Sequence, residues 1–284
     1  MTSCHNLHRM ANETVQKGLL SNLEIKLFEK GLYPRSVTEI TGHSNSGKTY
    51  LAYHLVIKCI MPKVLNNIEM NGCESQCIYI SCLQPSCVYE MATLIENAIV
   101  AALRDAGCSR DEVRSFIQQD KTVLKCLKRL TIFKCYSYAE YLLCCHNVGL
   151  FLKQNSNVQL VILDSINAFD FEGPRSGRHR YRNIEKNLDH LTCETENFNV
   201  AVVYTKLSQL AKRQNELYNC SEKTWRYKDT ISLASSDSKF TSRIPLSVRF
   251  FLFDDEEKKC KGILTEKGAI WYTFSKAGRL KWLS

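Results

Sequence analysis

Residues 41–50 read TGHSNSGKTY. Gly42, Gly47, Lys48 and Thr49 fit the spacing G-x-x-x-x-G-K-[ST]. In such a loop, glycines let the backbone N–H groups of the intervening residues, here His43, Ser44, Asn45 and Ser46, close around phosphate oxygens. Lys48 would reach the β- and γ-phosphates, and the Thr49 hydroxyl would ligate Mg2+. A carboxylate is also needed beside the metal's hydration shell. "LVILDS" (160–165) supplies Asp164 at the end of an apolar run. These residue types point to a nucleoside triphosphate bound as its magnesium complex. A glycine turn ahead of a helix could show the same residues without a ligand, so the flanking elements decide.

Those elements have the right order. "VTEIT" (37–41) reads as a strand, and apolar positions 51, 52, 55, 56, 59 and 60 form one wide helical face. Strand, loop and helix then aim backbone N–H groups and a helix N-terminus at the phosphates. Further strands are expected at 77–81, 129–135, 158–165 and 198–205, as near-continuous apolar runs suited to burial on both faces. Helices are expected at 88–103, 109–127 and 138–153. The last two open on Ser109 with Glu112 and on Ser137 with Glu140, at capping-box spacing. The alternation predicts an α/β fold, with a mostly parallel sheet and helices on both faces. Beyond residue 245, "SVRFFLF", "KGILTEK" and "IWYTFS" read as a C-terminal antiparallel extension.

Composition narrows the function. A chain of 284 residues with 44% hydrophobic and 24% charged residues is ordinary for a globular protein. No apolar run approaches the length of a membrane span, and the first twenty residues lack the block of a secretory signal, so an intracellular chain is expected. The fourteen cysteines then read mainly as small core residues. Cys73, Cys77, Cys82 and Cys87 lack the paired C-x-x-C arms of a structural zinc site. The net charge of +9 favours a polyanionic partner.

Together these pieces resemble the RecA/RadA superfamily, particularly the eukaryotic recombinase paralogues of recombinational repair, over about Leu27 to Leu280. "FEKGLYPRSVTEITGHSNSGKT", "LVILDSINAF", "VAVVYTKLSQL" and "IWYTFSKAGRL" match the family's lead-in and phosphate loop, magnesium-acid strand, sensor strand and closing strand. The resemblance implies a RecA-like P-loop NTPase core spanning 27–284, preceded by a partner-docking or disordered segment at 1–26. It implies ATP and Mg2+ as ligands, a nuclear location, and three kinds of partner: other recombinase paralogues, the main strand-exchange recombinase and single-stranded DNA. The lack of an amino-terminal DNA-binding domain points to the shortest paralogues, of the X-ray-repair cross-complementing type.

Two departures bear on activity. The family's second strand ends Asp-Thr-Glu, whose glutamate orients the attacking water; here the residues are Ser81, Cys82 and Leu83, and leucine can align no water. The family's phosphate-sensing Asn-Gln falls on Lys206 and Leu207, of which only Lys206 could contribute, and then only charge. The expectation is ATP binding with weak or absent hydrolysis. An active DNA-dependent ATPase completed across a subunit interface and a nucleotide-free adaptor are the alternatives.

The family's DNA-facing loops correspond to two basic segments. In 171–186, Arg175, Arg178, Arg180, Arg182 and Lys186 oppose Glu172 and Glu185, and Gly173, Pro174 and Gly177 mark a loop. In 207–243, Lys212, Arg213 and Arg226 accompany Trp225 and other aromatics. Cations track phosphates and aromatic faces stack on unpaired bases, although the same residues could pack against the core or a partner.

Overall fold

The computed structural model describes residues 20, 23–28, 31–82, 87–119, 121–170, 177–207, 248–255, 260–265, 268–275 and 280–283. The apolar runs become strands β1 (Val37–Gly42), β4 (Gln76–Cys82), β5 (Leu130–Cys135), β6 (Val158–Asp164) and β7 (Ala201–Leu207). A small hairpin, β2 (Val64–Leu65) and β3 (Ile68–Glu69), lies apart from them. The C-terminal segments form β8 (Val248–Asp255), β9 (Cys260–Thr265), β10 (Gly268–Phe274) and a further strand, β11 (Leu280–Leu283). All but the hairpin join one nine-stranded sheet in the order β11-β10-β9-β8-β1-β7-β6-β4-β5.

The part of the sheet from β8 through β1, β7, β6 and β4 to β5 is parallel. The pairs β8–β9, β9–β10 and β10–β11 are antiparallel. The C-terminal strands are therefore not a detached extension. β8 pairs in parallel with β1, the strand that leads into the phosphate loop.

Two-residue alternation sorts the core into two layers. Ile40, Tyr79, Ile162 and Val203 face helices α1 (Lys48–Ile60) and α2 (Cys87–Asp105). Ile78, Ile80, Leu163 and Tyr204 face α5 (Tyr138–Gln154) and α6 (Gly177–Thr195). The single helix expected at 109–127 is two: α3 (Arg110–Gln119) and α4 (Thr122–Leu127). Both serines cap their helices, but only the box at Ser109 closes. Ser109 N–H donates to Glu112 Oε2 at 2.7 Å while Glu112 N–H donates to Ser109 Oγ at 3.3 Å. At α5, Glu140 N–H reaches Ser137 Oγ at 3.2 Å, but the Glu140 carboxylate accepts from Tyr136 N–H instead of closing the box. Among the described residues, no helix is long and apolar enough to cross a membrane, and no group of three or more His, Cys, Asp or Glu could hold a metal.

The core also begins before residue 27. Leu20 and Leu23 are fully buried, Leu20 bridges to Leu32, and Phe28 meets Phe250 edge-on at 5.3 Å. Buried Glu24 accepts a hydrogen bond from His54 Nε2 at 2.5 Å, pinning this lead-in to α1. Burial alone would raise the Glu24 carboxyl; the bond and charge of His54, the charge of Lys58 and the Lys26 N–H outweigh it and hold the group below its usual range. A lowered folded-state pKa contributes stability above the unfolded carboxylate range and loses it as pH falls through the folded value. Glu24→Gln is expected to cost about 1–3 kcal/mol at neutral pH, shrinking as the medium is acidified below pH ~4. Denaturant titrations of the two proteins across that range check the sign.

Candidate nucleotide site

β1 carries Gly42 to the carboxyl edge of the sheet, where β8 lies so close that a Cβ would sit 2.6 Å from both the Leu252 carbonyl oxygen and Ser46 Oγ. Only glycine fits. At the other end of the loop, Gly47 caps α1 with φ 93°, a left-handed conformation that again favours glycine. α1 has no acidic residue in its first turn, so the positive end of its dipole keeps its attraction for an anion. Lys48 opens α1 and curls its Nζ back to the His43 carbonyl at 2.5 Å, over the loop. Ser46 Oγ is buried without a hydrogen-bond partner.

Across the sheet edge, the P-loop helix stands above a row of polar strand ends. Asp164 is buried at 3% exposure, and Tyr79 donates to its Oδ2 at 2.8 Å while Thr205 Oγ1 donates to its Oδ1. Tyr79 in turn packs against Tyr53 of α1, ring centroids 5.6 Å apart. Ser81, the register partner of Asp164, is buried with its Oγ unpaired. Two orphaned hydroxyls, an anchored carboxylate and the Thr49 hydroxyl form an oxygen-rich set of the kind Mg2+ prefers, beside a glycine cradle with no room for side chains. The residues present fit a magnesium-bound triphosphate.

The hydrolytic half is different. At the end of β4, Ser81 offers only a hydroxyl, and Cys82 points to the opposite layer, where the neighbouring Cys135 thiol and burial push its pKa well up. Neither is a base near neutral pH. Leu83 lies outside the described residues.

Lys206 corrects an expectation. Thr205 occupies the α1 side of β7, so the next residue faces away from Asp164 and the phosphate loop. There Lys206 is buried, with its Nζ 3.7 Å from Glu39 Oε2, an oxygen that also accepts from Tyr204 at 2.6 Å. Its charge is taken up on the other side of the sheet. Leu207 is 41% exposed, and its backbone N–H and C=O are held by the Asn167 side-chain amide at 3.1 and 3.3 Å.

The basic segments fare unequally. Lys212, Arg213, Trp225 and Arg226 lie outside the described residues, as does Arg175. The expected loop at 171–186 is helical from Gly177, because α6 starts there. Arg178, Arg180 and Arg182 thus belong to the first turns of a helix. Further along it, Ile184, Leu188 and Leu191 pack inward while Lys186 and His190 are exposed. By four-residue spacing, positions 178 and 182 continue the Lys186 stripe and position 180 continues the Ile184 stripe.

Sequence reasoning passed over Tyr79 and Thr205, and weighed Ser81 only as a lost acid; with Ser81 they complete the row around Asp164. All share the strand parity of the acid; Ser81 and Thr205 lie level with it, whereas Tyr79 stands opposite Ile162 and reaches up with its ring. Sequence reasoning also missed Lys261 and Tyr272, which touch the loop from the C-terminal strands. No local pattern marks them, because the contacts span more than 200 residues.

Residues 15–94, which contain β1, the loop, α1 and β4, match the family described as Rad51. Over that stretch the chain is similar to the Rad51 family. DNA repair protein RAD51 homolog 3 of Dictyostelium discoideum is 27% identical over 178 residues, 60% of this chain and 42% of that protein. RAD51 homolog 3 of Cricetulus griseus is 25% identical over 207 residues, covering 72% of this chain and 55% of that protein. DNA repair protein XRCC2 of Mus musculus is 25% identical over 152 residues, covering 53% and 47%. The chain spans about half the length of the curated relatives it matches.

The burial of Lys206 yields a test. Lys206→Met would leave Glu39 without its cation and should destabilise the fold by about 3 kcal/mol, with Mg–ATP affinity unchanged. Denaturant unfolding and calorimetric titration separate the two quantities. Lost affinity with intact stability would instead put Lys206 at the phosphates.

Proposed function

We propose that this chain binds ATP with Mg2+ as a ligand that consolidates its fold, with weak or absent intrinsic hydrolysis. In this reading it acts in the nucleus in homologous-recombination repair, within a complex of recombinase paralogues that assists the main strand-exchange recombinase on single-stranded DNA. Both somatic and meiotic settings are open to it. The observation that carries the reading is the contrast at one sheet edge. The cradle, Lys48, Thr49 and the doubly held Asp164 are all in place, whereas the described end of β4 offers no carboxylate. ATP supplies a triphosphate whose charge the loop N–H groups, Lys48 and the metal neutralise. The chain's own part is to orient that charge: Tyr79 and Thr205 fix the carboxylate, and Gly42 and Gly47 let the backbone approach. Removing the groups that position water costs orders of magnitude in rate, while ground-state binding survives. The names of the relatives support the repair role.

Saturating Mg–ATP should therefore raise the melting temperature, since ligand at ~100 times its dissociation constant adds ~2.7 kcal/mol. Lys48→Ala should remove the shift, and a wild-type protein that melts unchanged with ATP would sink the reading. Single-turnover assays on the isolated chain should show next to no phosphate release. Robust turnover that disappears in Lys48→Ala would establish an active ATPase, and turnover only with added paralogues would establish a site completed across an interface.

The helical setting of 178–186 sharpens the DNA expectation. Arg178→Ala and Arg182→Ala, on the stripe shared with exposed Lys186, should each weaken single-strand binding by the intact complex and lower its salt slope by about 0.7. Arg180→Ala should do less. Equal effects from all three, or none from any, would remove α6 from the DNA surface.

A further inference from the structure

The phosphate loop is gripped from outside by the C-terminal strands. Lys261 on β9 donates its Nζ to the Asn45 carbonyl at 2.8 Å. Its register partner on β10, Tyr272, donates its hydroxyl to the Ser46 carbonyl at 3.3 Å. Phe274, further along β10, meets Tyr50 of α1 with ring centroids 5.2 Å apart. The fit is close: a Cβ on Gly47 would come within 3.1 Å of Tyr272 Oη, 3.2 Å of Phe274 Cε2 and 3.3 Å of Lys261 Cδ.

The geometry has a direct effect on what the loop presents. A trans peptide is planar, with its C=O and N–H pointing in opposite directions. Drawing the Asn45 and Ser46 carbonyls outward therefore turns the N–H groups of Ser46 and Gly47 inward. The Ser46 N–H does point to the loop interior, 3.3 Å from the His43 carbonyl, the acceptor that Lys48 Nζ also uses. Asn45 at φ 64° and Gly47 at φ 93° are both left-handed, and for asparagine that conformation costs free energy that surrounding contacts must offset. The ammonium of Lys261 makes a charge-assisted bond, stronger than a neutral donor would give, and adds positive potential beside the loop.

We propose that Lys261 is a positioning residue for triphosphate binding, a second lysine that braces Asn45–Ser46–Gly47 from β9 so that their N–H groups face the phosphates. The proposal rests on the nucleotide-binding reading above and adds to it a dependence on the C-terminal strands. Lys48 acts from inside the loop, and Lys261 acts through the loop's backbone.

The test compares the full chain with Lys261→Met and Lys261→Arg, using Mg–ATP titration, melting without nucleotide, and amide hydrogen exchange at Ser46 and Gly47 without nucleotide. Lys261→Met should bind Mg–ATP about tenfold more weakly, as expected for loss of one charge-assisted hydrogen bond. Its nucleotide-free melting temperature should stay close to wild type while the two amides exchange faster. Lys261→Arg should recover most of the affinity. Unchanged affinity with unchanged exchange would overturn the proposal, and so would an affinity loss matched by a general fall in nucleotide-free stability. If Lys261→Met does not fold, Tyr272→Phe and Lys261→Arg carry the comparison, with faster Ser46 and Gly47 exchange expected in the first and near-wild-type exchange in the second; the absence of that contrast overturns the brace. A wild-type chain that binds no ATP would overturn the nucleotide reading alone, and the exchange result would still decide whether Lys261 shapes the loop.

Discussion

The carboxylate of Asp164 is the constraint around which the site is arranged. A buried charge is tolerated only when it is well hydrogen-bonded. Here hydroxyls arrive from the two strands flanking β6, Tyr79 from β4 and Thr205 from β7. Tyr79 can donate only because its ring is wedged beneath α1 against Tyr53. The acid, both neighbouring strands and the P-loop helix are thereby fixed relative to one another. Shifting β4 by one residue would put Ile78 or Ile80 in the place of Tyr79, and shifting β7 would put Tyr204 or Lys206 in the place of Thr205. Register and site geometry are the same requirement.

The two faces of the sheet then do different jobs. On the α1 face, polar strand ends gather at the carboxyl edge, where ligands of open α/β sheets bind. On the other face, the polar residues close among themselves. Glu39 takes the Tyr204 hydroxyl and the Lys206 ammonium, and Cys82 joins a thiol cluster with Cys135. Lys206, at a sensing position, and Cys82, at the end of β4, are thus absorbed into packing on the face away from the phosphate loop.

Much of this was legible in the sequence, and the reason is locality. The phosphate loop, Asp164 and the strand–helix alternation are each encoded within about ten consecutive residues. The capping signals at Ser109 and Ser137 likewise act over one turn. What escaped depended on distant pairing or on competition between elements. The 109–127 pattern divides into one helix that ends at Gln119 and another that begins at Thr122, which apolar periodicity alone does not show. Gly177 sits beside Gly173 and Pro174 and reads as loop, yet the apolar stripe of Ile184, Leu188 and Leu191 extends helix back to it. Lys206 was placed by likeness to a sensor, whereas strand parity assigns it to the opposite layer. The merging of the C-terminal strands into the main sheet required a parallel pairing of β8 with β1 that no local signal announces.

That pairing has a consequence for biosynthesis. The loop's outer wall is contributed by residues that follow it by more than two hundred positions; Lys261 and Asn45 are 216 apart. A ribosome finishes β1, the loop and α1 long before β8 to β10 emerge, so the nascent chain must carry an uncovered β1 edge in the interval. Pairings of such sequence separation form slowly and expose sticky edges meanwhile. A frameshift or early stop beyond β7 would leave every motif of the nucleotide site in the translated product and still deprive the loop of its wall. For this chain, an intact signature in a transcript is no guarantee of a competent pocket.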